Sequence, residues 1–273
     1  MRIRDERLQW AEAKVREASR IALRYYGTRL RVERKADRSP VTVADRQVET
    51  FLRRELARAF PRDPIVGEEF GAPSRVGSTY WTVDPIDGTR AFSRGLPSWG
   101  ILIGFVEEGR PVLGACRYPV ADLTIGAGPR TPAYELCHGR RKLLPRAPAP
   151  PRLSEAALFH GGAKWWLPTR YRGGFLRLVG RCFLERAYGD CYGYLWLLRG
   201  GADAVIEYGV KVWDVAPLSV LAGATGRLMC DFSGRPCFTG PQAITAHPAL
   251  ARTISRMLVG STAVSSSAVT SSF

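Results

Sequence analysis

The chain has 273 residues, 45% hydrophobic and 24% charged, with a formal net charge of +15. That length and balance fit a soluble globular protein with one large domain or two lobes around a substantial core, and they exclude a disordered chain. No apolar run approaches the length of a membrane span, and Met1-Arg-Ile-Arg-Asp-Glu-Arg7 has no apolar stretch behind it, so neither a spanning helix nor a secretory leader is expected.

In chain order, Leu8, Ala11, Val15, Ala18, Ala22 and Tyr25 recur at helical spacing, and Gly27 is the stop. A second helix is predicted from Thr42, with Val48, Phe51, Leu52, Leu56 and Phe60 inside and Pro61 ending it. Short strands are predicted at Ile65-Val66 and Tyr80 to Val83. Trp99 to Val106 and Pro111 to Tyr118 read as a hairpin around Glu107-Glu108-Gly109-Arg110, and Leu123 to Ile125 continues the sheet. Arg140 to Pro151 is rich in Pro, Arg and Ala and reads as a connection between two lobes. Beyond it come a strand near Cys182 to Arg186, a helix near Asp190 to Arg199, and a strand at Ala204 to Glu207. A helix from about Asp214 to Ala224, strands near Leu228 and Ile244, and a helix from Pro248 to Leu258 follow. Strands alternating with helices predict an α/β layered arrangement. The Ser-, Thr- and Ala-rich tail, 261–273, is predicted to be disordered.

The most informative stretch is Trp81-Thr-Val-Asp84-Pro-Ile-Asp87-Gly88-Thr89. Pro85 holds Asp84 extended, Gly88 permits close backbone approach, and Thr89 can cap a following helix. Two carboxylates beside free N–H groups suit a divalent cation holding a phosphate. Asp, Pro and Gly also make ordinary turns, so the motif alone leaves a structural reading open. Two further carboxylate stretches, Gly67-Glu68-Glu69 and Val212-Trp213-Asp214-Val215-Ala216, fit the same site.

Together, Asp84-Pro-Ile-Asp-Gly-Thr89, Gly67-Glu68-Glu69 and Trp213-Asp214-Val-Ala216 resemble the inositol monophosphatase superfamily, from the first helix to near residue 258. The resemblance implies an α+β layered α/β/α/β/α sandwich. It implies one catalytic domain over residues 1–260, with a metal and phosphate lobe at about 1–139 and a substrate lobe at 152–260. It implies a Mg²⁺-dependent phosphatase of small phosphorylated alcohols, with two or three ions held by Glu68, Asp84, Asp87, Asp214 and the carbonyl of Ile86. Hard oxygen donors of this kind suit Mg²⁺. By the same resemblance Glu68 and Thr89 orient the attacking water, and the amides of Gly88 and Thr89 cradle the phosphate. Asp214 is also placed as a helix N-cap, with Pro217 tolerated in the first turn. Thr42-x-x-Asp45 reads as a capping box, while Pro40 to Asp45 matches a family stretch whose Asp sits beside a third metal. Lys35 is either a phosphate-steering cation or an ordinary surface lysine.

Glu207 lies where the family has a substrate-contacting Glu, and Asp190 where inositol phosphatases have small residues. Gly88 to Phe92, Gly95 to Gly100 and Gly189 to Tyr194 look more like the histidinol-phosphate phosphatase branch. Histidinol phosphate carries an amine and an imidazole, to which Asp190 and Glu207 are complementary. Inositol-1-phosphate, or another cyclitol or sugar monophosphate, is the alternative substrate. Gly161 to Gly174, with Lys164, Trp165 and Trp166, departs from the family and is read as a substrate mouth or a subunit contact.

Six cysteines without a C-x-x-C pair point to reduced thiols and a cytoplasmic protein. All basic residues except Lys14, Lys35, Lys142, Lys164 and Lys211 are arginine, scattered along the chain without a nucleic-acid motif. Attraction of an anionic phosphate ester uses that charge. Nucleic acid is therefore not the expected partner, although a regulatory protein binding nucleic acid or transcription machinery on the same scaffold is the alternative from another class. A homodimer is expected from the resemblance.

Overall fold

The computed structural model describes residues 3–29, 32–34 and 40–260; Lys35 and the tail 261–273 lie outside the described residues. The chain order is α1 (Ile3–Leu23), β1 (Glu33–Arg34), β2 (Pro40–Val41), α2 (Val43–Ala59), β3 (Ile65–Gly67), β4 (Tyr80–Asp87) and α3 (Thr89–Phe92). Next come β5 (Gly100–Glu107), β6 (Arg110–Tyr118), β7 (Leu123–Gly128), β8 (Thr131–Cys137), β9 (Arg140–Leu143), β10 (Ala157–His160), α4 (Ala163–Trp166) and α5 (Arg172–Val179). The rest is β11 (Leu184–Arg186), α6 (Asp190–Arg199), β12 (Ala204–Tyr208), α7 (Val212–Ala224), β13 (Leu228–Cys230), β14 (Gln242–Ala246) and α8 (Pro248–Val259).

Seven strands form one sheet in the order β3-β4-β5-β6-β7-β8-β9, parallel only between β3 and β4. Five form a second sheet, β11-β10-β12-β14-β13. One apolar core joins α1 and α2 to the outer face of the first sheet, through Leu8, Val15, Val48 and Leu52 against Trp81, Ile103 and Ala115. A second core fills the space between the sheets with α6 and α7. A third packs α5 and α8 on the far face of the second sheet. The layers therefore read α/β/α/β/α, as expected. Burying each large side chain of α1 and α2 contributes about 1.5–3 kcal/mol, so helical periodicity translates directly into the first layer. No helix among the described residues is long and apolar enough to cross a membrane.

Several boundaries differ from expectation. Strand β4 does not stop at Val83 but runs through Asp87. Strands β8 and β9 extend the first sheet, so the connection between the sheets starts after Leu143 and not at Arg140. Strand β9 is a fully exposed edge strand, Arg-Arg-Lys-Leu, without the alternation that marks a strand with one buried face. Strand β10 and helices α4 and α5 also lie where no element was expected.

Pro217 falls in the second turn of α7, not the first. It costs a backbone hydrogen bond there, but it meets a sheet surface built for it. A Cβ on Gly114 would lie 2.2 Å from the Pro217 carbonyl oxygen, and one on Gly104 would lie 3.1 Å from the Pro217 ring. Gly114→Ala should therefore push α7 off the sheet. Overpacking of this kind costs about 1–3 kcal/mol, and a drop in Tm of roughly 3–10 °C is expected in thermal unfolding. An unchanged Tm would show that this contact does not set the position of α7.

Candidate active site

The site begins with a geometric problem on β4. Asp84 and Asp87 are three residues apart, so in a regular strand they would face opposite sides. Asp84 pairs with Leu102 and Asp87 with Gly100, three steps on β4 against two on β5. That extra residue is a β-bulge, and it turns both carboxylates the same way. Pro85, lacking an N–H, sits inside the bulge where no ladder bond is required. The Asp84 carboxylate accepts the Ile86 N–H at 3.0 Å, which fixes its rotamer.

Gly88 then takes φ 89° as the residue before α3. A Cβ there would strike the Ser98 carbonyl at 2.8 Å and approach the Asp190 carboxylate at 3.4 Å. Glycine is thus required both by the backbone and by the neighbours. Thr89 does not cap α3. Its hydroxyl lies 3.1 Å from Asp45 Oδ1 and 3.0 Å from the Ile86 carbonyl, either of which can accept its proton. Asp45 serves two roles at once. Its other oxygen accepts the Thr42 N–H at 2.8 Å and the Thr42 hydroxyl, completing the capping box of α2.

Asp214 arrives from the other side of the sheet on α7. It occupies the third helical position, not the N-cap, and accepts the Lys211 N–H at 2.7 Å. One carboxylate oxygen from each of Asp84, Asp87 and Asp214 lies within 4.8 Å of the other two. The Glu68 carboxylate acts electrostatically on Asp84, Asp45 and Asp214, so it faces the same cleft from the end of β3.

The second sheet contributes the far wall. Glu207, buried on β12, accepts the Asp190 N–H at 2.8 Å. The next amide, Cys191 N–H, donates to the Asp87 carboxylate. The first turn of α6 thus ties Asp87 of one sheet to Glu207 of the other. Asp190 takes a left-handed φ of 54° at the start of α6, where water reaches it. Arg90 is near enough to lower its carboxyl pKa and lies over the exposed Trp165 ring at 5.3 Å. Trp165 of the 161–174 segment therefore stands at the mouth of this cleft.

Electrostatics follow from crowding. Burial, then Glu68, Asp87 and Asp214, push the Asp84 carboxyl well up. Burial, then Asp190 and Asp214, do the same to Asp87, and burial with Asp190 to Glu207. Asp214 is pushed up to about 7, chiefly by burial and by Glu68 against the Lys211 amide. Asp45 rises to about 6 through burial, opposed by Thr42. Burial likewise raises Asp190 to about 6 against the pull of Arg90, and its access to water tempers that rise.

This donor set suits a hard divalent cation. All members are oxygens, they converge, and positive charge among them relieves a repulsion that burial otherwise magnifies. Hydrogen bonds and electrostatic interactions thus link the expected groups Glu68, Asp84, Asp87, Thr89, Asp45, Asp190, Glu207 and Asp214 into one cluster, with the Ile86 carbonyl at Thr89 and Gly88 beside Asp190. Glu49 and Arg53, which hold the Glu68 segment, were not singled out from the sequence. The available signal was an acid beside Val48 on the buried stripe of α2.

A family model described as the inositol monophosphatase family matches residues 4–263. A histidinol-phosphatase of Mycobacterium tuberculosis is 34% identical over 212 residues, covering 78% of this chain and 82% of that protein. An inositol-1-monophosphatase of Mycobacterium bovis is 31% identical over 222 residues, covering 78% and 75%. The solved structure of an inositol monophosphatase from Zymomonas mobilis superposes with a TM-score of 0.78 at 30% identity, covering 92% of this chain and 98% of that one.

The raised carboxyls make the stability of metal-free protein depend on pH. A carboxyl whose folded pKa lies above its unfolded one stabilises the fold at low pH, and that contribution is lost as pH rises through the folded value. With Asp214 near 7 and Asp84, Asp87 and Glu207 also raised, stability should fall on going from the ordinary carboxylate range towards pH 7 and above. In EDTA the Tm should be higher at about pH 5 than at about pH 8, and added Mg²⁺ should stabilise most at the higher pH. A Tm in EDTA that climbs over this range would contradict the crowding of these groups.

Proposed function

The chain belongs to the inositol monophosphatase family, and from that premise we propose that it is a Mg²⁺-dependent phosphomonoesterase that hydrolyses L-histidinol phosphate to L-histidinol and phosphate. The observation that carries the reading is the double set of acids around one cleft. Asp84, Asp87 and Asp214 converge on one point, and Asp190 and Glu207, from α6 and β12, stand beside them. The first set suits metal, and the second suits a cationic alcohol. Repulsion between Asp190 and Glu207 is relieved by an amine or imidazolium placed between them, which a neutral polyol does not do. The histidinol-phosphatase relatives support the same choice.

In this proposal Glu68, Asp84, Asp87, Asp214 and the Ile86 carbonyl hold two or three Mg²⁺ ions. Such ions would neutralise phosphate charge, lower the pKa of the attacking water and stabilise the departing alkoxide until it takes up a proton. The chain's own groups do the positioning. The amides of Gly88 and Thr89 hold phosphate oxygens as individual donors, since α3 is only four residues long. With the Ile86 carbonyl engaged as a ligand, Asp45 Oδ1 is the remaining acceptor for the Thr89 proton. Thr89 Oγ1 then presents a lone pair to the cleft. Glu68 and Thr89 together orient the water for in-line attack. Gly88, Asp190 and Glu207 shape the substrate side, and Glu207 keeps one oxygen for the Asp190 amide and offers the other to the alcohol. A homodimer in the cytoplasm completes the proposal, on the strength of the family resemblance.

A second reading has one observation in its favour. Arg90 stands beside Asp190 and partly neutralises it, which would suit hydroxyl groups of inositol-1-phosphate or another polyol phosphate.

Phosphate release from both substrates, with Mg²⁺ and with EDTA, separates these readings. Asp84→Asn should lower kcat by about two orders of magnitude or more, the scale lost with one preorganised electrostatic partner, while circular dichroism stays native. Wild-type turnover in that variant, or turnover insensitive to EDTA, would rule out the metal reading. Asp190→Asn should raise KM for histidinol phosphate about 10-fold, as expected for a lost charged hydrogen bond. KM for inositol-1-phosphate should change little. Equal effects on both substrates would remove Asp190 as the discriminating group.

A further inference from the structure

Glu49 lies one turn beyond Asp45 on α2, and no solvent reaches it. An acid this deep must have partners, and its partners are all in one place. Oε2 accepts the Glu69 N–H at 2.7 Å, and Oε1 accepts the Phe70 N–H at 3.3 Å. Arg53, a turn further on, donates Nε–H to Oε1 at 2.7 Å. The same guanidinium donates to the Gly71 carbonyl and, at 3.5 Å, to that of Ile65. Gly67 N–H closes the loop onto Gly71 at 3.0 Å, and Glu68 N–H bonds to the Val83 carbonyl at 3.2 Å. The fit is tight, because a Cβ on Gly67 would lie 2.0 Å from Glu49 Oε1. Every residue flanking Glu68 is therefore held either by the Glu49–Arg53 pair or by β4.

Helix α2 therefore reaches two groups of the site at once. On one helical face, four residues apart, Asp45 holds the Thr89 hydroxyl and Glu49 holds the turn that presents Glu68. A helical turn is stiff, so α2 acts as a spacer between the two groups proposed to orient water. We infer that Glu49, braced by Arg53, is a positioning residue that sets Glu68 against Thr89 and so tunes cation affinity on the Glu68 side of the cleft. This rests on the metal-phosphatase reading above. Both carboxylate oxygens are needed, because two successive amides and a guanidinium must be satisfied together. Glutamine would turn an N–H₂ group towards one of those donors.

The test is Mn²⁺ titration into metal-free protein, followed by electron paramagnetic resonance, together with Tm and the Mg²⁺ dependence of turnover. Glu49→Gln should weaken Mn²⁺ binding about 10-fold or more, as loss of an orienting partner of a ligand does. It should raise the Mg²⁺ needed for half-activation in parallel, with KM for the phosphate ester at saturating Mg²⁺ nearly unchanged. Glu55→Gln, on the same helix but paired with Lys14 and Arg58, should leave Mn²⁺ affinity at the wild-type value whatever it does to Tm. Wild-type Mn²⁺ affinity in folded Glu49→Gln would overturn the inference and leave Glu49 a purely structural ion pair. If Glu49→Gln does not fold, Arg53→Lys decides: it keeps a cation but loses the fork, and unchanged affinity there overturns the inference equally. Asp84→Asn separates the two levels, since wild-type Mn²⁺ binding in that variant would sink the metal reading itself and not merely the role of Glu49.

Discussion

Carboxylates that the fold forces together repel one another, and that repulsion governs how the site is built. Asp84, Asp87 and Asp214 meet within 4.8 Å, with Glu68, Asp190 and Glu207 close by. A like-charged pair at about 4 Å costs roughly 4 kcal/mol at an effective dielectric constant of ~20. A chain selected for stability alone would not assemble such a group. Hydrophobic layers on both faces of the first sheet hold it in place, and the upward shifts of these carboxyls record the cost. The stored repulsion becomes affinity for whatever positive charge enters, metal on one side and, in the proposed substrate, an organic cation on the other.

How the acids are aimed is a matter of backbone hydrogen bonds. Asp84, Asp87, Asp45, Asp214 and Glu207 each spend an oxygen on an amide near the start of a helix or within a bulge. That arrangement fixes each rotamer and leaves the second oxygen for the cleft, or at Asp45 for the Thr89 hydroxyl. It also makes helix starts the natural location of the site, because unpaired N–H groups are available there and favour anions. The first turn of α6 goes further and couples the sheets, through Asp87 on one side and Glu207 on the other. Glycines take part where backbone must approach backbone, at Gly114 under Pro217 and at Gly88 against the Ser98 carbonyl.

Much of this is legible from local pattern. The buried faces of α1 and α2, the capping box at Thr42, the β5–β6 hairpin and the limits of α6 and α8 follow from periodicity and turn chemistry. The misses have physical causes. Strand β9 is exposed throughout and is a strand only because β8 offers it an edge. Strand β4 reaches Asp87 because β5 pairs across a bulge, which no one-strand pattern encodes. Asp214 has the chemistry of an N-cap but occupies the third position of α7, since Lys211 is the N-cap. Glu49 escaped notice because one acid on an apolar stripe resembles a solvated neighbour until its amide partners, some twenty residues away, are in place.

The chemistry on offer is written in short local motifs. Asp84-Pro-Ile-Asp87-Gly88-Thr89, Glu68 and Trp213-Asp214 are short motifs whose donor atoms, turn geometry and family resemblance are set by residues next to one another. Which donors meet depends on contacts between distant segments. The bulge that turns Asp84 and Asp87 the same way needs a second strand, and the arrival of Asp214 needs α7 seated on Gly104 and Gly114. The placement of Glu68 needs α2 beside β3, and the far wall needs a second sheet tied in through α6. Local preference sets what each segment can do. Strand pairing and close packing between distant segments set where its carboxylates point, and a cation site is defined by that convergence.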